Sequence, residues 1–124
     1  MSDASAPANG LELLARQICD LADLIGLIQK SLPRSMAWQR KLVAELDDVD
    51  RAIQVLRMTV AMERRDSEIL EAASAVHAAC RQAELSMAGT RADAITRRSV
   101  RFAVQQSQGI AALLKHIGAK LAGE

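Results

Sequence analysis

The chain has 124 residues, with 16 Lys and Arg set against 15 Asp and Glu, one Trp, one Phe and no Tyr. That length suits one domain burying roughly two thirds of its unfolded surface, and a net charge of +1 excludes the overall basic excess of a protein coated in cations for nucleic acid. Ala, Leu, Ile, Val and Met must build the core, which favours helices over sheets, and two cysteines are too few for a disulfide framework.

Residues 1–9 read as a lead-in, without the basic start and long apolar run of a signal peptide. No stretch approaches the ~20 apolar residues that span a bilayer, so no membrane partner and a reducing cytoplasm are expected. From there Leu14, Ile18, Leu21, Ile25, Ile28 and Leu32 follow Leu11 in steps of three and four, the seam of a bundle helix over about 10–31. Pro33 cannot continue the preceding turn but is tolerated at a new helix start, so Ser31-Leu32-Pro33-Arg34 marks a tight reversal.

The second helix is expected over 34–64, with Trp38, Leu42, Leu46, Val49, Ile53, Leu56 and Val60 as its seam. Asp66 is a suitable N-cap for the third, over 66–88, whose stripe is Ile69 or Leu70, Ala73, Val76 with His77, Cys80, Ala83 and Met87, ended by Gly89. Thr90 and Asp93 resemble a capping box that launches the fourth, over 91–121, through Ile95, Phe102, Gln106, Ile110, Leu113, Ile117 and Leu121. Connections this short force antiparallel neighbours. The expected fold is all-α, one up-down-up-down four-helix bundle over 10–122.

Charge is unevenly spread along these elements. Residues 1–33, 34–65, 66–90 and 91–124 carry net charges of −2, +2, −3 and +4. The second and fourth helices open among cations, where a helix N-terminus already carries partial positive charge, so an anion or a partner is expected to compensate. An antiparallel bundle gathers Lys30, Arg34, Arg40, Lys41, Arg91, Arg97, Arg98 and Arg101 at one end against Asp93, a candidate surface for RNA, DNA or another polyanion. The bland alternative is that these cations satisfy helix C-terminal carbonyls and stay solvated.

Leu13, Leu24 and Leu27 on the first helix, and Val100, Val104 and Ala111 on the fourth, lie off the expected seams. With Trp38 they form a candidate interface for self-association or a partner, although Trp38 also reads as the lid of the core. His77, Cys80, Cys19 and His116 fall short of a zinc set and read as structural. Ser74 and Leu113 stand where a di-iron bundle needs Glu three residues before each His. Asp47, Asp48 and Asp50 read as a solvated acidic face. No nucleophile triad or phosphate loop is present, so no enzyme, cofactor, metal or small-molecule substrate is expected.

The Ser31-Leu32-Pro33-Arg34 reversal, the two Ala-rich helices after it, and Ile95-Thr96 leading through Val100 and Ala103 to Ile110 and Leu113-Leu114 together resemble the Avd family. These are the accessory variability determinants of diversity-generating retroelements, related in fold to four-helix proteins encoded within ribosomal RNA intervening sequences. The resemblance covers about 11–121. It implies a homopentamer that binds a reverse transcriptase and its template RNA without doing chemistry, with Arg34, Arg97, Arg98 and Arg101 at matching basic positions. The rival expectation is a helical protein–protein adaptor or chaperone with no nucleic-acid binding.

Overall fold

The computed structural model describes residues 9–122, with side chains described over 10–117. Four helices follow one another: α1 (Asn9–Ser31), α2 (Ala37–Ala61), α3 (Asp66–Ser86) and α4 (Ala94–Ala122). There is no strand among the described residues. The expected lead-in falls, apart from Asn9, outside those residues, as does the side chain of Leu121. Each helix packs against two others, α1 and α3 both lying between α2 and α4. Antiparallel pairing is fixed by specific contacts: Gln29 Nε2 donates to Asp47 Oδ1 at 2.6 Å and Arg57 Nη2 to Cys19 Sγ at 3.1 Å, both between α1 and α2. At the far end of the α1–α4 pair, a Cβ on Gly10 would lie 3.4 Å from Ile117 Cδ1. The result is the up-down-up-down bundle that the apolar spacing predicts.

Side-chain size divides the core. α1 and α2 bring Leu14, Ile18, Leu21, Ile25, Leu42, Leu46, Ile53 and Leu56, whereas α3 brings Ala72, Ala73, Val76, Cys80 and Ala83. On α4 the buried positions are Val100, Ala103, Ser107 and Ile110. Here the structure corrects the expected phase of α4: Ile95 and Phe102 are 73% and 53% exposed, and Val100 is buried. Small residues on α3 need small residues opposite them for close approach, so Ala103 and Ser107 face inward and the larger Ile95 and Phe102 turn out. The Ser107 hydroxyl donates to the Val104 carbonyl at 2.7 Å, which satisfies its hydrogen-bonding need within the helix. Leu11, expected to begin the α1 seam, is also exposed, lying one turn before the first buried residue, Leu14.

Helix boundaries differ from expectation where loops take over. Pro33 disfavours helical geometry at Leu32, and Met36 is extended at φ −107° and ψ 152°, so α2 starts at Ala37 rather than at 34. Gln39 holds that start, its Oε1 accepting the Met36 N–H at 2.9 Å and the Ser35 hydroxyl at 3.2 Å. α2 ends at Ala61 in a Schellman turn: Glu63 N–H donates to Val60 O at 3.0 Å and Arg64 N–H to Thr59 O at 3.1 Å. That turn runs directly into α3, which leaves Arg65 at the N-cap position and puts Asp66 inside the first turn. α3 ends at Ser86, and the chain turns through Gly89 at φ 74°. α4 starts at Ala94, not at 91, because Asp93 rather than Thr90 caps it. Its carboxylate accepts the Thr96 N–H at 3.0 Å and the Thr96 hydroxyl at 2.7 Å.

Candidate nucleic-acid interface

The 1–2 and 3–4 connections meet at one end of the bundle, where Leu32 and Pro33 share a surface depression with Asp93, Ile95 and Thr96. The eight predicted cations therefore gather near that end, but they do not act alike. Arg40 Nη1 donates to the Arg34 carbonyl at 3.0 Å, folding back over the 1–2 loop. Arg97 does the same across the 3–4 loop, through Nε to Ala92 O at 3.0 Å and Nη2 to Thr90 O at 2.6 Å. Half-buried Arg97 is thus a loop clamp, and not, as expected, part of the surface open to a polyanion. A guanidinium presents its donors in a fixed fork, which suits two carbonyls of one turn.

Arg101 reaches across to α3, Nε donating to Glu84 Oε2 at 3.1 Å. Glu84 thus joins Asp93 as a second carboxylate at this end. Arg101 is exposed and Glu84 half-buried, and a pair so placed contributes at most about 1 kcal/mol. The side chains of Lys30, Arg34, Lys41, Arg91 and Arg98 are exposed and, among the described residues, make no hydrogen bond or ion pair. Asp93 stays ionised beside them, since bonds from the Thr96 hydroxyl and the Thr96 N–H hold its carboxyl below the usual value, but with Glu84 it sets two carboxylates against the eight cations. The local field is therefore positive, while the whole chain is nearly neutral.

The expected apolar interface divides. Leu13 and Leu27 are 42% and 62% exposed, Leu24 is half-buried, and Trp38 and Val104 are half-buried against the core. Val100, 1% exposed, belongs to the core and not to any interface, because the phase of α4 is set by Ala103 and Ser107. In its place the structure offers Ile95 and Phe102. Leu24 and Ile95 line two adjoining depressions between α1 and α4, of about 330 and 410 Å³, the second also lined by Phe102, Arg98 and Arg101. The sequence spacing puts Ile95 and Phe102 on the seam and Val100 off it, because both stripes of α4 fit a 3.6-residue period and spacing alone does not choose between them.

The other polar candidates are local. Asp48 pairs with Arg51, and Asp47 accepts from Gln29. Burial pushes the Cys80 thiol up to about 11, with the Ser107 side chain acting weakly in the opposite sense. A thiol this reluctant to ionise is a poor nucleophile and a poor metal ligand. Among the described residues no group of three His, Cys, Asp or Glu side chains is placed to hold an ion. No helix among them is long and apolar enough to cross a membrane. Comparison of the chain with protein-family models, curated proteins and solved structures finds no match.

Proposed function

We propose that this bundle is a non-enzymatic accessory protein that holds nucleic acid against its cationic end, self-associates, and serves a reverse transcriptase in the manner of the Avd family it resembles. The observation that carries the reading is the set of exposed, unengaged cations, Lys30, Arg34, Lys41, Arg91 and Arg98, collected at the end where α2 and α4 begin. Phosphates bridging several of these side chains would release counterions, which makes binding steeply salt-dependent. The experiment is retention of a structured RNA by the whole chain between ~50 and ~200 mM salt. Replacing all five cations with Gln should abolish retention while leaving helicity and mass unchanged. Undiminished, salt-sensitive retention by that variant sinks the assignment.

A second reading, a helical adaptor without nucleic-acid binding, is favoured by a different observation: the exposure of Leu27, Ile95 and Phe102. It predicts no RNA retention even at ~50 mM salt, where charge screening is weakest.

A further inference from the structure

The chain's one Phe is on its surface. Phe102 stands 53% exposed on α4, with Ile95 at 73% on the same helix and Leu27 at 62% on α1. Together with half-buried Leu24 they line the two adjoining depressions between α1 and α4. Since Leu24 and Ile95 line both, the depressions form one groove, running from Asp93 to Gln105 along α4. At ~1.5 Å per residue that is about 18 Å, the length of some three helical turns. Single exposed apolar residues need no explanation, but a continuous concave apolar floor does.

We propose that this groove is the docking site for an acidic amphipathic helix of a partner protein. Charge selects the occupant. Arg98 and Arg101 line the second depression together with Phe102. Of the carboxylates near them, Glu84 is paired with Arg101 and Asp93 keeps its charge under the Thr96 bonds, so Arg98 is the cation of this groove that no carboxylate pairs among the described residues. An incoming helix that places apolar residues on Leu24, Ile95 and Phe102 therefore meets the unpaired Arg98 at its flank, and Glu or Asp there is attracted while Lys or Arg is repelled. A second copy pairing about a two-fold axis would set Arg98 and Arg101 against the same cations of its mate, which disfavours that occupant. Nucleic acid would gain phosphate contacts from Arg98 but would leave the apolar floor against polar backbone. The proposal holds whether or not the cationic end takes up RNA.

The test uses a fluorescein-labelled peptide of about 14 residues, with Leu at i, i+3, i+7 and i+10 and Glu beside them, titrated against the whole chain and read by anisotropy. A twin peptide carries Lys for each Glu. The acidic peptide should saturate, the basic twin should not, and Ile95→Ser with Phe102→Ser should weaken binding by about tenfold or more. Arg98→Gln should weaken it about fivefold. The substituted side chains are exposed, and amide chemical shifts that move on α1 and α4 locate the peptide independently of any variant. Equal binding of both peptides, or binding indifferent to Phe102→Ser, overturns the proposal. So does a light-scattering mass above one chain that Phe102→Ser returns to the monomer, which assigns the groove to a second copy. Loss of RNA retention in Phe102→Ser would give the groove to nucleic acid and overturn it too.

Discussion

The guanidinium of Arg97 donates Nη2–H to the carbonyl of Thr90 at 2.6 Å, closing the loop that Thr90 itself begins to fold by donating its hydroxyl to Met87 O at 2.6 Å. One side chain on the first turn of α4 thereby sets the path of the preceding connection. Arg97→Gln should lower unfolding free energy by about 1–2 kcal/mol in urea titration, since charge-assisted bonds to half-buried carbonyls are lost. Arg98→Gln, with no such bonds, should leave stability within ~0.5 kcal/mol and change only anion binding. Equal destabilisation by the two would remove the distinction between clamp and contact.

Glu63 and Gly89 both occupy left-handed backbone, at φ 53° and φ 74°. Only one of them is suited to it. Glu63→Gly should stabilise by about 1 kcal/mol by relieving the Cβ penalty at the Schellman position. Gly89→Ala should destabilise by about 1 kcal/mol although nothing lies within 4 Å of the added Cβ, so the cost is backbone strain alone. Thermal midpoints moving in opposite directions are the expected readout.

The phase of α4 is testable at two neighbouring residues. Val100→Ala should cost about 2 kcal/mol through lost burial and a residual cavity. Phe102→Ala, although it removes a much larger side chain, should cost under ~0.5 kcal/mol. Reversed magnitudes in chemical denaturation would restore the stripe that sequence spacing suggests.

Cys80 makes stability depend on alkali. Its thiol keeps its proton up to about 11 in the folded chain, against an ordinary value of 9.0. Between those values the unfolded chain binds fewer protons, so stability is fully present below the lower one and falls as pH rises towards the higher, by roughly 2–3 kcal/mol in all. Urea midpoints at pH 8 and pH 10 should differ for the native chain and much less for Cys80→Ala. A thiol reagent at pH 8 should label exposed Cys19 rapidly and buried Cys80 only on unfolding.

Asp93 gives the opposite dependence, at acid pH. Because Thr96 holds the folded carboxyl below its ordinary value of 3.8, the cap contributes above that value and is lost as pH falls through the lower, folded one. Asp93→Ala should cost about 1 kcal/mol at pH 7, and Asp93→Asn, which still accepts the Thr96 N–H, distinctly less.

Apolar spacing alone located four helices and nearly all of the core on α1 and α2, because large aliphatic residues recur there in an unbroken run of steps of three and four. It failed on α4, where two stripes compete and the correct one contains Ser107. A buried hydroxyl that bonds its own helix looks polar in sequence yet behaves as a small core residue. The cationic end was legible as a gathering of charges, since antiparallel order alone brings Arg34 and Arg98 to one side. What each cation does there was not. Arg97 and Arg98 are adjacent and chemically identical, and only the path of the 3–4 loop turns one inward to Thr90 and Ala92 and leaves the other in solvent. Capping was shifted in the same way, Thr90 serving the loop and Asp93 the helix.

The division of the core between bulky α1 and α2 and small-residue α3 constrains later change in opposite senses. At Leu21, Ile25 or Leu46 a smaller residue opens a void that neighbours cannot fill, so these sites resist shrinkage. At Ala73 and Ala83, 1% and 0% exposed, any added methylene must push α2 or α4 outward, so these sites resist growth. Sequence drift along this bundle is therefore directional: related chains with the same helix spacing should avoid smaller residues at Leu21, Ile25 and Leu46, exchanging Leu for Ile or Met there, and should avoid larger ones at Ala73 and Ala83.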